Sequence, residues 1–187
     1  MSGKLLYIAN VSLDGYTEDA QGNFDFTEPS DEVFVCITDL IRPVGTHLYG
    51  RRMYETMAVW ETMPELAAES ELRADFANVW QAATKVVYST RIREPSTATT
   101  RIESDFDADA VRDLKTSAAS DLTIGGPTIA AHALRAGLVD EVHLFVAPVT
   151  VGAGKPAFPP DARLQLELVD ERRFASGTVQ LHYRVLS

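Results

Sequence analysis

Three short segments bring glycine, hydroxyl and guanidinium groups together, and these are groups that hold phosphates. The first is Tyr49-Gly50-Arg51-Arg52-Met53-Tyr54. A glycine lets the backbone approach a ligand closely, and a helix starting behind it offers unpaired N–H groups to a phosphate. An arginine there adds a cation able to bond two oxygens at once. The same residues equally suit a strand that ends on glycine beside solvated arginines. The second segment is Tyr88-Ser89-Thr90-Arg91. It could grip a phosphate monoester such as the 2′-phosphate of NADP, or form a plain polar turn. The third is Thr123-Ile124-Gly125-Gly126-Pro127-Thr128-Ile129. Two residues without side chains let a pyrophosphate or ribose lie on the backbone, and Pro127 suits a first helical turn, where its missing N–H costs nothing. A glycine pair between strand and helix is also a common packing device. No G-x-G-x-x-G fingerprint occurs.

Two acids, Asp14 and Asp31, stand in segments that a family resemblance, carried by motifs set out below, marks as candidate acids. Asp14 precedes Gly15, so it is either a site residue or the start of an Asp-Gly turn. Asp31 and Glu32 follow Ser30, which reads as an N-cap. Acids there either act on substrate or complement the helix dipole, an effect worth roughly 0.3–1 kcal/mol. His47, His132, His143 and His182 fall on different elements with no i, i+4 pair, so no metal site is expected. No G-x-S-x-G elbow supports a serine triad. His143 reads as a packed, hydrogen-bonded core histidine. Trp60 and Trp80 read as core residues. With Tyr16, Phe24 and Phe26 they could alternatively wall a flat heteroaromatic substrate.

The elements that position these residues alternate between strand and helix. Leu5–Ala9 reads as a buried strand, and 15–29 as a long loop. Val33, Ile37, Leu40 and Ile41 recur at helical spacing, closed by Pro43. Thr46–Gly50 is a strand running into a helix from Arg51 to about Ala58. Leu72, Phe76, Val79 and Trp80 mark another helix. Strands follow at 85–89, 101–103 and 122–124, with helices around Val111 and Leu114 and from Pro127 to Gly137. Val142–Ala147 is almost wholly apolar, as a central strand covered on both faces must be. Leu164, Leu166 and Leu168, then Val179, Leu181, Tyr183 and Val185, alternate with polar residues. They read as an antiparallel hairpin.

The 187 residues carry 17 Lys and Arg against 27 Asp and Glu, a formal charge of −10. So acidic a chain disfavours nucleic acid and anionic membranes as partners, yet a few local cations suffice for an anionic small ligand. One cysteine, Cys36, excludes an internal disulfide. No apolar stretch reaches the ~18 residues of a membrane span. Neither a signal peptide nor a linker is visible, so one domain over 1–187 in the cytoplasm is expected.

The order of certain segments carries more than each alone. Ser12-Leu13-Asp14-Gly15-Tyr16, Leu48 to Glu55, Lys85 to Ser89, Ile124-Gly125-Gly126 and Pro148 to Pro156 together resemble the dihydrofolate reductase-like superfamily. More closely they resemble the reductase (C-terminal) domain of bacterial riboflavin biosynthesis proteins and its stand-alone relatives, from about Lys4 to Val185. The resemblance implies an α/β fold: a central mixed, mainly parallel sheet with flanking helices and the C-terminal hairpin. It implies NADPH extended across that sheet. Gly50, Arg51, Arg52 and Met53 on one helix start, and Gly125 through Ile129 on the other, would hold the pyrophosphate. Ser89, Thr90 and Arg91 would surround the 2′-phosphate, and Ala9, Asp14, Gly15 and Tyr16 would lie by the nicotinamide. No carboxylate adjoins Arg91, which favours NADP over NAD. The implied activity is hydride transfer to a small heterocyclic substrate, as in 5-amino-6-(5-phosphoribosylamino)uracil reductase or dihydrofolate reductase. The alternative is a non-catalytic nucleotide- or flavin-binding module on the same fold. A homodimer is implied. A second substrate phosphate would call on Lys155, Arg163 or Arg42. The lone cysteine leaves no zinc deaminase signature in the chain.

Overall fold

A computed structural model describes residues 2–186 of the chain; Met1 and Ser187 lie outside the described residues. In chain order the strands are β1 (Leu5–Val11), β2 (Tyr16–Asp19), β3 (Val44–Gly50), β4 (Thr84–Tyr88) and β5 (Thr100–Glu103), then β6 (Asp121–Gly125), β7 (Glu141–Val146), β8 (Gly154–Pro156), β9 (Gln165–Arg173) and β10 (Val179–Leu186). The helices are α1 (Asp31–Ile41), α2 (Arg51–Met57), α3 (Val59–Thr62), α4 (Pro64–Ala68), α5 (Glu71–Ala82), α6 (Ala108–Ser117) and α7 (Pro127–Arg135). Eight strands form one sheet in the order β5-β4-β3-β6-β1-β7-β10-β9. The first six in that order run parallel, and β10 and β9 close the sheet antiparallel, as the alternation in the last quarter predicts.

Side chains leave a strand on alternate faces. Leu5, Tyr7, Ala9 and Val11 of β1 therefore face one way, and Leu6, Ile8 and Asn10 the other. The first face joins Leu48, Leu122, Ile124 and Val142 in a core covered by Val111 of α6 and Ala130, Ala133 and Leu134 of α7. On the second face Leu6, Tyr49 and Val87 meet Ile41 of α1, Tyr54 of α2 and Phe76 and Trp80 of α5. Trp80 is fully buried, and its indole N–H donates to the Tyr49 hydroxyl at 3.0 Å. Fully burying one such apolar side chain contributes roughly 1.5–3 kcal/mol.

Two helix starts carry side-chain caps. Ser70 caps α5 by accepting from the Arg73 amide, and Asp107 caps α6 by accepting from Asp109 and Ala110. Ser30 has the extended backbone of an N-cap, but its hydroxyl makes no capping bond and is buried without a partner. The expected loop 15–29 also contains more structure than its polarity suggests. It holds β2 and a 3₁₀ turn at Asp25–Thr27. β2 exists because it pairs with β8, far along the chain. Gly154 makes that pairing possible, since a Cβ there would come within 1.9 Å of the Glu18 carbonyl oxygen. The short helices α3 and α4 were not expected, and only Pro64 at the start of α4 signals either.

Candidate active site

A cavity of about 720 Å³ opens beyond the carboxyl ends of β1, β3 and β6, on the second face of the sheet. Parallel α/β sheets bind ligands at this end, and cavities of this volume are typical of small-molecule sites. Asn10, His47, Tyr49 and Thr123 contribute to its lining from the strands. Phe34 of α1, Trp60 of α3 and Phe76 of α5 form an aromatic wall, with Trp60 and Phe76 ring centroids 4.8 Å apart. Trp60 is thus a cavity residue as well as a packing residue, whereas Trp80 belongs to the core alone. Phe24 and Glu28 from the segment between β2 and α1, and Lys155 of β8, add to the lining.

Both glycine junctions line the cavity. Gly50, Arg51, Arg52 and Met53 approach it where β3 runs into α2. Gly125, Gly126, Pro127, Thr128 and Ile129 approach it where β6 runs into α7. Gly126 has φ +97, which only glycine adopts without strain, and this turn sets α7 behind the strand. Ala9 lines the cavity from β1.

The cations at the site are held loosely. Arg51 pairs with Glu55 at 2.9 Å, and Arg52 with Glu18 at 3.0 Å. Exposed pairs of this kind contribute only about 0–1 kcal/mol, so either guanidinium can exchange its carboxylate for a phosphate. Lys155 makes no ion pair among the described residues.

The polar interior is firmer. His47 Nδ1 lies 2.6 Å from the Thr123 hydroxyl, which joins β3 to β6 beneath the cavity. Burial, with the nearby Lys85 charge second, pushes the His47 imidazole down to about 3, so it is neutral. Its ring stacks on Tyr49 at 5.6 Å between centroids. His47 Nε2 and Asn10 Oδ1 are buried without partners, which is uncommon for polar atoms in folded proteins. Neither residue carries a site signal in the sequence, where His47 has no histidine at metal-ligand spacing.

The remaining expected site residues do not line the cavity. Asp14 is exposed, and its carboxylate accepts from the Ser12 hydroxyl at 2.6 Å, the Gly152 amide at 2.7 Å and the Val151 amide at 3.1 Å. The Ser12 hydroxyl first, and then the two amides, hold its pKa below the usual carboxylate range against some desolvation. Gly15 and Tyr16 continue this turn, and the Tyr16 amide donates to the Ser12 hydroxyl. Asp31 is exposed in the first turn of α1. The Ser89 hydroxyl accepts from the Arg91 and Ile92 amides, both at 3.1 Å, so it shapes the turn that presents Thr90 and Arg91 at the surface. That turn follows Tyr88, which does line the cavity. His143 is buried as expected, but neither ring nitrogen has a hydrogen-bond partner. The apolar run around it signalled burial and could not supply a partner.

Residues 4–180 match the family model described as the RibD C-terminal domain. The uncharacterized protein YyaP of Bacillus subtilis (strain 168) is 28% identical over 175 residues, covering 92% of this chain and 90% of that protein. Among solved structures, a protein from Shewanella sp. PV-4 provisionally named for riboflavin biosynthesis superposes with a TM-score of 0.73 at 19% identity, over 100% of both chains. A Thermotoga maritima diaminohydroxyphosphoribosylaminopyrimidine deaminase/5-amino-6-(5-phosphoribosylamino)uracil reductase gives 0.64 at 12% identity, with 99% of this chain covering 57% of that one. A pyrimidine reductase-like protein from Corynebacterium diphtheriae gives 0.63 at 12% identity, over 99% and 92% of the two chains.

Proposed function

The chain belongs to the RibD C-terminal domain family, and from that premise we propose that it is a reductase that binds NADPH along the cavity and reduces a small pyrimidine-like heterocycle. The observation that carries this reading is the composition of one continuous cavity. It joins two glycine junctions suited to a pyrophosphate with an aromatic wall suited to a flat ring. The junctions fit a dinucleotide. A Cβ at Gly50 would meet nothing nearer than Ile129 at 3.8 Å, so protein packing does not demand glycine where the cavity is lined by one. When bound, the nicotinamide supplies the hydride.

The chain's own residues bind, orient and handle the proton. The amino end of α7 and the guanidiniums of Arg51 and Arg52 hold the pyrophosphate. Arg91, presented by the Ser89 turn, meets the 2′-phosphate with Thr90. Ala9, with the Gly15-Tyr16 turn beyond β1, flanks the nicotinamide. Asp14 acts here by positioning: its carboxylate ties that turn to Val151 and Gly152. With its oxygens so engaged and its pKa held low, it is a poor proton donor. We assign proton delivery instead to the acidic segment entering α1. Glu28 lines the cavity there and is the donor we assign; Asp31, exposed in the first turn of α1, complements the helix dipole.

Titration of nicotinamide fluorescence with NADPH and NADH tests the cofactor. NADPH should bind the more tightly, Arg51→Ala should weaken both cofactors, and Arg91→Ala should weaken NADPH alone. Binding of neither cofactor, or a yellow protein as purified, overturns this half. Turnover on aminopyrimidine and pteridine substrates tests the other half, with Glu28→Gln expected to lower kcat at unchanged cofactor affinity and Asp31→Asn, outside the cavity, expected to leave it unchanged. NADPH binding with no turnover on any such ring would mean a nucleotide-binding module.

A further inference from the structure

The amino-terminal end of β7 carries a cluster that the proposed reaction does not use. Glu141 and His143 stand two residues apart on β7, so both side chains leave the same face of the sheet. His182 of β10 lies directly across from His143 in the antiparallel register. One ligand atom from each of the three residues lies within 4.8 Å of the others. Glu141 Oε2 is 3.0 Å from His182 Nε2 and 3.8 Å from His143 Nε2. Lys4 Nζ donates to the other carboxylate oxygen, Oε1, at 2.7 Å and leaves Oε2 free of it.

His143 supplies a second and independent observation. It is 4% exposed, and neither of its ring nitrogens has a partner. A neutral imidazole carries one N–H and one lone pair, and burying both unpaired is costly.

We propose that Glu141, His143 and His182 form a binding site for one divalent cation of the zinc class. Two imidazoles and a carboxylate are donors that zinc accepts, and water can supply the fourth position because Glu141 and His182 keep some exposure. Around a tetrahedral ion with bonds of ~2.0–2.1 Å, neighbouring donors sit about 3.3 Å apart. The separations of 3.0 and 3.8 Å bracket that value. The two rings stack with centroids 4.0 Å apart and planes 18° from parallel, so ligation requires one ring to turn into line with the ion. His182 has the room, with its side chain 20% exposed against 5% for His143, and the second torsion of a histidine is soft. The site lies away from the carboxyl ends of the parallel strands, where the cavity opens. Its role is structural: the ion ties the C-terminal hairpin to β7.

Tag-free protein stripped with a chelator should be titrated with zinc chloride by calorimetry, with thermal unfolding measured in parallel. One ion per chain should bind and raise Tm. His143→Ala and His182→Ala should each weaken zinc by more than the roughly 10–100-fold typical of losing an outer partner. His182→Ala serves if the buried His143→Ala fails to fold by circular dichroism. No binding at micromolar zinc, or equal binding to a folded variant, overturns the site. A change in NADPH affinity on adding zinc overturns its purely structural role.

Discussion

The two strands that end on glycine beside the cavity look alike in sequence and differ in what requires the glycine. At the β6 to α7 junction, a Cβ on Gly125 would lie 2.8 Å from the Tyr49 ring and 3.3 Å from Met53. Gly126 beside it has φ +97. The fold itself requires both residues. At the β3 to α2 junction, Gly50 has an ordinary φ of −74, and an added Cβ would only touch Ile129 at 3.8 Å. The fold tolerates a larger residue there, so the space in front of Gly50 is available to a ligand. One junction is built by packing and the other by what it leaves open.

The same methyl group added at each junction tests this contrast. Gly125→Ala should destabilise the protein by about 1–3 kcal/mol, the usual cost of overpacking, read as a lower midpoint in urea. An unchanged midpoint would mean the Tyr49 ring yields freely and the junctions are equivalent. His47, which bonds Thr123 and so links the two junction strands, gives a pH-dependent effect. Its folded pKa of about 3 lies below the ordinary histidine value of 6.5, so the unfolded chain takes up the proton first as pH falls. Stability should therefore be intact above about pH 6.5 and fall by about 1.4 kcal/mol per unit between there and pH 3. His47→Gln should flatten that slope in unfolding curves measured at several pH values. An identical slope would place the titration elsewhere.

Gly50→Ala should leave stability within about 0.5 kcal/mol while weakening NADPH at least tenfold, or about 1.4 kcal/mol. Undiminished affinity would make Gly50 as incidental to ligands as Gly125 is essential to packing. The smallest effect concerns the turn beyond β1. The lowered Asp14 pKa means its carboxylate contributes stability above the ordinary aspartate range and loses it as pH falls through the depressed folded value. The difference in Tm between wild type and Asp14→Asn should be largest at neutral pH and vanish in acid.

Much of the frame could be read from local pattern. The apolar stripe Leu72, Phe76, Val79 and Trp80 gave α5, and the alternation from Val179 to Val185 gave β10, because both periodicities are set by one sheet face or one helix stripe. The glycine junctions were legible because each places strand, glycine and helix in series. What stayed hidden depends on partners distant in sequence. β2 is a strand only against β8, and the place of His47 under the cavity arises only when β6 brings Thr123 beside it. Phe34 lies between apolar residues of α1 and shows no sign of facing a cavity until Trp60 and Phe76 close around it. His143 and His182 are 39 positions apart in number, yet the antiparallel register sets them face to face.

The position of β1 bears on how the chain is made. It is made before the other strands of this sheet, yet its sheet neighbours are β6 and β7, which begin at Asp121 and Glu141. Until those residues emerge, this largely buried strand has no hydrogen-bonding neighbour in the sheet. β2 likewise waits for Gly154, so the cavity mouth cannot assemble before that residue emerges. Such late, long-range pairing slows folding. A ligand bound as proposed therefore cannot guide the segments made before β6; it can only trap a chain in which β6 and β7 have already paired with β1.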